Sequence, residues 1–301
     1  MFNRKSEIVF IGAGKVAYTL IPLLLKKNYN VKGIISRRKE SVSSAGRKFK
    51  LEFYTSDFNK IAVNRGIFFI TVPDIQILNV TKKLASLDLD FTKSLFVHTS
   101  GNESSSAFRA LKKKGAATAS FHIMQTFPSL KQVDISDSLT AVETESSTAD
   151  KYLNSLARAL KLKVFKLSAQ EKVYYHLAGV FTANFLNANF FTAEKLLNNT
   201  AIGGKKHYQL FEPIVKTTLS NIKNNGVNRS LSGPVQRGDY VTVQKHLELL
   251  SKLKTKDREL LIHSYISQSL ILLESIKING SRLKAGQIKV KKILEAGLKK
   301  L

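Results

Sequence analysis

The chain has 301 residues, with 48 Lys and Arg against 22 Asp and Glu for a formal net charge of +26, and it contains neither cysteine nor tryptophan. Its 43% hydrophobic and 23% charged content is that of a folded globular protein, which excludes a disordered tail, a collagen-like repeat and a disulfide scaffold; the missing cysteine also removes thiol nucleophiles, thiolate zinc sites and iron–sulfur clusters. The length suggests two domains, and the charge admits nucleic acid, an acidic membrane surface, an anionic ligand or a lysine-rich proteome.

At the start of the chain, Arg4 and Lys5 precede an apolar stretch from Ile8 to Leu25, superficially like a signal peptide. Gly12, Gly14 and Lys15 interrupt it, Pro22 follows, and no small-residue cleavage site precedes Lys26-Lys27. No window of about 18 apolar residues occurs. A cytoplasmic protein with no membrane partner is therefore expected.

Short β-branched or apolar runs then recur at Ile8–Ile11, Val31–Ile35, Ile67–Thr71, Ser94–Val97, Ala117–Phe121, Leu139–Val142 and Val164–Leu167, alternating with amphipathic stretches. This alternation predicts a parallel sheet covered by helices on both faces. From Ser168 onward helical spacing takes over, around Gln170–Leu197, Tyr208–Asn225, Asp239–Leu253 and Asp257–Ser275. The expectation is an α/β doubly wound domain over residues 1–168, followed by a mostly α-helical domain over 169–301.

The first strand runs directly into Gly12-Ala13-Gly14-Lys15-Val16-Ala17, a G-x-G-x-x-A turn leading into a helix. Gly12 permits the tight turn, Gly14 lets the backbone approach a pyrophosphate, and small Ala17 allows the helix to pack on the strand. Lys15 and Val16 open the helix, whose N-terminal N–H groups suit phosphate. This is a Rossmann dinucleotide fingerprint, and these five residues are candidate cofactor contacts. After the second strand, where NAD sites usually carry an acidic residue, stand Ser36-Arg37-Arg38. A hydroxyl and guanidinium groups suit a 2′-phosphate, so NADP(H) is expected, with Ser36 and Arg37 as ligands; the alternative is surface charge on a basic protein. After the third strand, Val72 and Pro73 should line the nicotinamide-side wall, while Asp74 can cap the next helix.

His98 and Ser100 follow the fourth strand and His122 the fifth, at the carboxyl ends where open α/β sheets bind ligands. His suits proton transfer near neutral pH, so His98, His122 and His176 are the candidate acid/base groups. On the long helix His176 and Asn184 border one face. Leu231–Asp239 is a Gly/Pro turn ending at an N-cap, and its Ser232, Arg237 and Asp239 are candidate contacts for an anionic substrate. No metal site is expected.

The segments GAGKVA, VPD, HTSG, FHIMQTF, YYHLAGVFTANF and SGPVQRGD together resemble Rossmann-like NADP oxidoreductases with a C-terminal helical domain of unknown function. These are relatives of pyrroline-5-carboxylate reductase and of the 6-phosphogluconate and 3-hydroxyacid dehydrogenases. The resemblance extends to about Leu253. It implies a helical domain that closes the cofactor cleft and often dimerises. It also implies that Gly12, Gly14, Ala17, Ser36 and Arg37 bind cofactor, while His98, Ser100, His122, His176, Asn184, Ser232, Arg237 and Asp239 line the cleft.

One departure bears on mechanism. The 3-hydroxyacid dehydrogenases carry a catalytic Lys four residues before an Asn; with Asn184 as that Asn, the position holds Val180, which cannot move a proton. Either a histidine serves, His122 or His176, or the chain binds NADP without turnover. The reading that follows is a reductase passing a hydride between nicotinamide and a small anionic carbonyl or imine substrate, with a deazaflavin as another possible hydride partner. The regulatory alternative and, with less support, nucleic-acid binding stand beside it. Residues 151–301 carry +17 of the net charge, and residues 277–301 alone carry 8 basic residues against one Glu. With Val290, Ile293, Leu294, Gly297 and Leu298 on one side, that tail reads as a solvated helix on the domain's edge.

Overall fold

The computed structural model describes residues 2–203, 207–278 and 281–299. They form two compact units, Met1–Leu186 and Asn187–Leu301. The first holds an eight-stranded sheet in the order β3-β2-β1-β4-β5-β6-β7-β8. Its strands are β1 (Ile8–Ile11), β2 (Val31–Ile35), β3 (Phe53–Thr55), β4 (Gly66–Ile70), β5 (Ser94–His98), β6 (Ala117–Ile123), β7 (Leu139–Glu143) and β8 (Lys163–Lys166). The chain winds outward from β1 in one direction through β2 and β3, then returns to β4 on the other side. That reversal creates a switch point between β1 and β4, where open α/β sheets form their ligand crevice.

Helices α1 (Lys15–Lys26), α2 (Lys39–Phe49), α3 (Asp74–Ala85), α4 (Arg109–Lys112) and α5 (Ser147–Ala159) accompany the strands. All four β1 side chains are at most 1% exposed because both faces of the sheet are covered. Alternation along the strand splits them between two cores. Ile8 and Phe10 pack with Leu20, Ile21 and Leu24 of α1 and with Phe69, whereas Val9 and Ile11 pack with Phe68, Phe96, and Ile77 and Leu84 of α3.

The seven sequence-predicted strands are all present, together with β3, a three-residue edge strand too short to register as a run. The expectation of a parallel sheet needs one correction: β6 and β7 are antiparallel, whereas the other neighbours pair in parallel. Residues 124–138, which join them, contain no helix and so make no crossover; a parallel return requires one. Strand β6 also runs two residues beyond its predicted end, which puts His122 within the strand, opposite Ala141.

The first unit also extends past residue 168. Helix α6 (Ala169–Gly179) starts with a capping box in which Ser168 Oγ accepts from the Glu171 N–H and the Glu171 carboxylate accepts from the Ser168 N–H. It then packs on the sheet. The Tyr175 hydroxyl donates to the Leu139 carbonyl at 2.8 Å, and the Lys172 side chain reaches β6. These polar anchors keep α6 with the sheet rather than with the later helices. A π-helical turn, Val180–Asn184, leads into α7 (Phe185–Leu197), within which the boundary between the units falls.

The second unit contains α8 (His207–Asn225), α9 (Pro234–Arg237), α10 (Tyr240–Ser251), α11 (Arg258–Ile276) and α12 (Ala285–Leu298). Its core is built by Val235, Val243, Ile266, Leu273, Val290 and Leu294. Gly238, at φ +74°, lets α9 approach α12: a Cβ there would lie 2.7 Å from the Gln287 nitrogen. The basic tail is thus a helix that buries Val290 and Leu294 fully while its lysines face outward, although Leu298 is 43% exposed. No helix among the described residues is long and apolar enough to cross a membrane.

Candidate functional site

The switch point opens into a cavity of about 310 Å³ whose walls include Gly12, Gly14, Ser36, Arg37, Val72 and Pro73. Gly12 has φ +114°, and a Cβ on it would meet the Thr71 carbonyl oxygen at 2.7 Å. It is glycine for both reasons: a left-handed backbone and the close approach of β4. The Thr71 hydroxyl donates to the Gly12 carbonyl at 2.8 Å, tying the turn to β4. Gly14 is different. A Cβ there would meet protein only at 3.6 Å, so the protein itself leaves the space above it open. Gly14 is also the N-cap of α1 and offers no side-chain cap, which leaves the first N–H groups of the helix free for an anion.

Not every fingerprint residue faces this space. Ala17 is fully buried and Val16 packs partly against the same core, while Lys15 is exposed on the first turn of α1. Arg38, Ser41, Asn79 and Lys83 do line the cavity. Arg38 stood beside Arg37 in the sequence. Asn79 and Lys83 come from α3 at helical spacing, a signal visible only once that helix is placed over the crevice.

The histidines occupy the same carboxyl edge of the sheet. His98 ends β5 and sits between Ile70 and Ser120 in the strand register. It is fully buried with neither ring nitrogen hydrogen-bonded among the described residues, and its ring lies 5.2 Å from that of Phe108. Burial, aided by the nearby Lys172 charge, pushes its pKa down to about 3. His98 thus packs against Phe108, with burial opposing its charged form. Ser100 is likewise engaged: its Oγ accepts from the N–H groups of Asn102 at 3.1 Å and Glu103 at 2.9 Å, closing the turn after β5.

His122 and His176 are brought together. Their ring centroids are 5.6 Å apart, and Tyr175 stands edge-on to His122 at 5.5 Å. Both histidines border a second cavity of about 270 Å³, with Met124, Thr126, Val180, Thr182 and Asn184 among its other walls. The π-helical turn carries the last three; such turns recur where a helix must aim side chains at a site. Burial, with the charges of His176 and Lys172 adding to it, holds His122 down at about 4. Among the described residues of its lining, this cavity has no Lys, Arg, Asp or Glu.

The residue missed by sequence reasoning is Lys172, one turn before His176 on α6. It is fully buried, and its ammonium donates to Ser120 Oγ at 2.5 Å and to the Glu103 carbonyl. Burial lowers its pKa to about 8, against the opposing pull of Glu143, Asp74 and Glu103. Lysine is a surface residue by default, so only the i, i+4 relation to His176 hinted at it. Ser232, Arg237 and Asp239 belong to the second unit. There Asp239 caps α10, accepting from the Thr242 N–H at 3.0 Å, while Arg237 closes α9.

These features define a Rossmann-type dinucleotide-binding protein with a histidine-walled cavity on the same edge of the sheet. Residues 7–99 match the family model described as NADP oxidoreductase, coenzyme F420-dependent, and residues 138–268 match a domain of unknown function (DUF2520). The match over residues 7–99 agrees with the motif resemblance. Among solved structures it is similar to a Bacteroides fragilis protein assigned as an NADP oxidoreductase (23% identity, 90% of this chain and 99% of that one, TM-score 0.75). An imine reductase from Myxococcus stipitatus in complex with NADP+ is similar at 16% identity (97% and 99%, TM-score 0.62). A pyrroline-5-carboxylate reductase from Coxiella burnetii is similar at 15% identity (91% and 99%, TM-score 0.53). No curated protein matches the chain in sequence.

The depressed histidines set a pH dependence. The unfolded chain binds protons near pH 6.5, whereas folded His122 and His98 resist them down to about 4 and 3. Stability is therefore full above about pH 6.5 and falls as pH drops toward 4, by on the order of 3 kcal/mol for His122 alone. Urea midpoints measured from pH 7 to 4 should show this loss, and His122→Asn should reduce it while leaving the part due to His98.

Proposed function

We propose that the chain is an NADP(H)-dependent oxidoreductase acting on a small carbonyl or imine compound. The observation that carries this reading is the cradle at the switch point: open space over Gly14, an uncapped helix N-terminus, and Ser36, Arg37 and Arg38 on the wall where the adenosine ribose belongs. The donor set fits a dinucleotide with a 2′-phosphate, and the matched family description and the NADP+-bound neighbour support the same assignment. When bound, the nicotinamide supplies or accepts a hydride.

The chain's own contribution is placement and proton handling. Gly12 and Gly14 admit the pyrophosphate to the α1 N-terminus, and Arg37 pairs with the 2′-phosphate. His122, held neutral by burial, serves as a hydrogen-bond donor rather than an acid. His176, half-buried on the cavity wall, delivers the proton, and Asn184 and Thr182 orient the substrate. Lys172 takes the place of Val180 as the lysine of this helix, but as a positioning residue that holds α6 and the turn after β5.

The helical half is proposed to pair two copies. The described residues of α7 and α8 include no fully buried side chain, yet Phe185, Leu186, Phe191, Leu210, Ile214 and Leu219 are between 41% and 65% exposed. Apolar surface of this extent calls for a partner, and residues 173–203 carry one Lys and one Glu, which lets a second copy approach despite the net charge. Light scattering should return twice the 33.6 kDa chain mass; a monomer would refute the pairing.

Arg37→Ala should weaken NADPH binding about 10- to 150-fold and leave NADH nearly unaffected, as expected for loss of a charge-assisted contact of roughly 1.5–3 kcal/mol. Fluorescence titration with both dinucleotides checks this, and unchanged NADPH affinity would reject the assignment. NADPH oxidation across a panel of keto acids, ketones, cyclic imines and a deazaflavin tests turnover. His176→Gln should lower kcat by about 100-fold or more with the NADPH Kd unchanged.

A further inference from the structure

Gly101, in the turn after β5, is buried and not among the residues with positive φ. Its lack of a side chain therefore answers to space, not to backbone conformation. A Cβ on it would lie 2.4 Å from His176 Nδ1 and 2.8 Å from His122 Nε2. Both imidazoles thus crowd the same side of Gly101. No hydrogen bond joins the two rings among the described residues, and both nitrogens approach the position a Gly101 Cβ would take. They are thus separated by no more than two hydrogen-bond lengths of about 2.8 Å each, the span of a single bridging acceptor. Both rings also border the second cavity.

We propose that His122 Nε2 and His176 Nδ1 form a clamp for one oxygen atom, seated on Gly101, and that it selects a ketone or aldehyde over an imine as the substrate of the oxidoreductase reading above. His122 Nδ1 is buried with no partner; a buried N–H without an acceptor is the rarer defect, so the proton belongs on Nε2, facing the clamp. His176 Nδ1 brings the second donor. A carbonyl oxygen has two lone pairs and accepts from both. An imine nitrogen has one and leaves the other donor unpaired, and sites built to pair a polar group discriminate strongly against an analogue that cannot satisfy it. Lys172 and Tyr175 of α6 and His98 of β5 lie around His122, and Lys172 is in turn held by the Glu103 carbonyl with the Glu143 charge acting on it.

In the reduction, the carbonyl carbon gains the hydride and the C=O π electrons move to oxygen. That oxygen takes the proton from protonated His176 Nδ1. The bonds broken are the donor C–H and the His176 N–H; those formed are the product C–H and O–H. His176 is left neutral and regains a proton from solvent, while His122 Nε2–H donates throughout and exchanges nothing.

The test uses the full chain without cofactor, so it does not depend on the NADPH assignment. Cyclohexanol, as a probe oxygen, is titrated into ¹⁵N-histidine-labelled protein. The expected result is concerted shifts of His122 Nε2 and His176 Nδ1, at least tenfold weaker apparent binding in Gly101→Ala, and loss of the His176 response in His122→Asn. A response from one imidazole alone, or unchanged binding in Gly101→Ala, overturns the clamp. With NADPH, cyclohexanone should be reduced at least 100-fold faster than 2-methyl-1-pyrroline. Faster imine reduction would refute the carbonyl preference while leaving the NADP(H) reading intact, and failure to bind NADPH would refute that reading while the labelled histidines still report on the clamp.

Discussion

The candidate site depends on one buried ammonium. Lys172 brings a positive charge into a place with no water contact, which costs several kcal/mol unless its donors are met. Ser120 Oγ and the Glu103 carbonyl meet them, so α6, β6 and the turn after β5 are fastened together at one atom. Loss of either acceptor would leave a desolvated charge. The same fastening puts His176, one turn further along α6, beside His122 on β6, and places Gly101 under both.

The two cavities on this edge of the sheet divide the electrostatic work. The one at the β1–β4 switch is lined by Arg37, Arg38, Lys83 and the helix N-terminus at Gly14, a setting for several negative charges. The one between β6 and α6 carries imidazoles, Asn184, Thr182 and Thr126 but no formally charged lining residue. Burial, with the charge of fully buried Lys172 adding to it, disfavours protonation of His98 and His122. A site of that kind handles a polar, neutral group better than an ionised one.

Much of the dinucleotide half was legible because its requirements are local. Gly12 needs its positive φ whatever surrounds it, Ile8–Ile11 is apolar throughout because both faces are covered, and Asp239 caps α10 by an interaction three residues long. The histidines were legible as chemistry but not as environment. His98 and His122 looked equivalent at adjacent strand ends, yet His98 is sealed against Phe108 while His122 reaches a cavity. The antiparallel β6–β7 pair escaped because the link between them carries no periodic signal to distinguish a crossover from a loop.

The sequence by itself determined the alternating α/β pattern, the glycine turn and its basic follow-on at Ser36-Arg37-Arg38, and the helical second half, since each is set by contacts between near neighbours or by side-chain type. Only the tertiary structure decided that α6 belongs with the sheet, that Lys172 is buried, and that His122, His176 and Gly101 meet. Those facts are pairings between residues 21 to 75 positions apart, and burial of a charge depends on the oxygens that surround it rather than on the residues beside it in the chain.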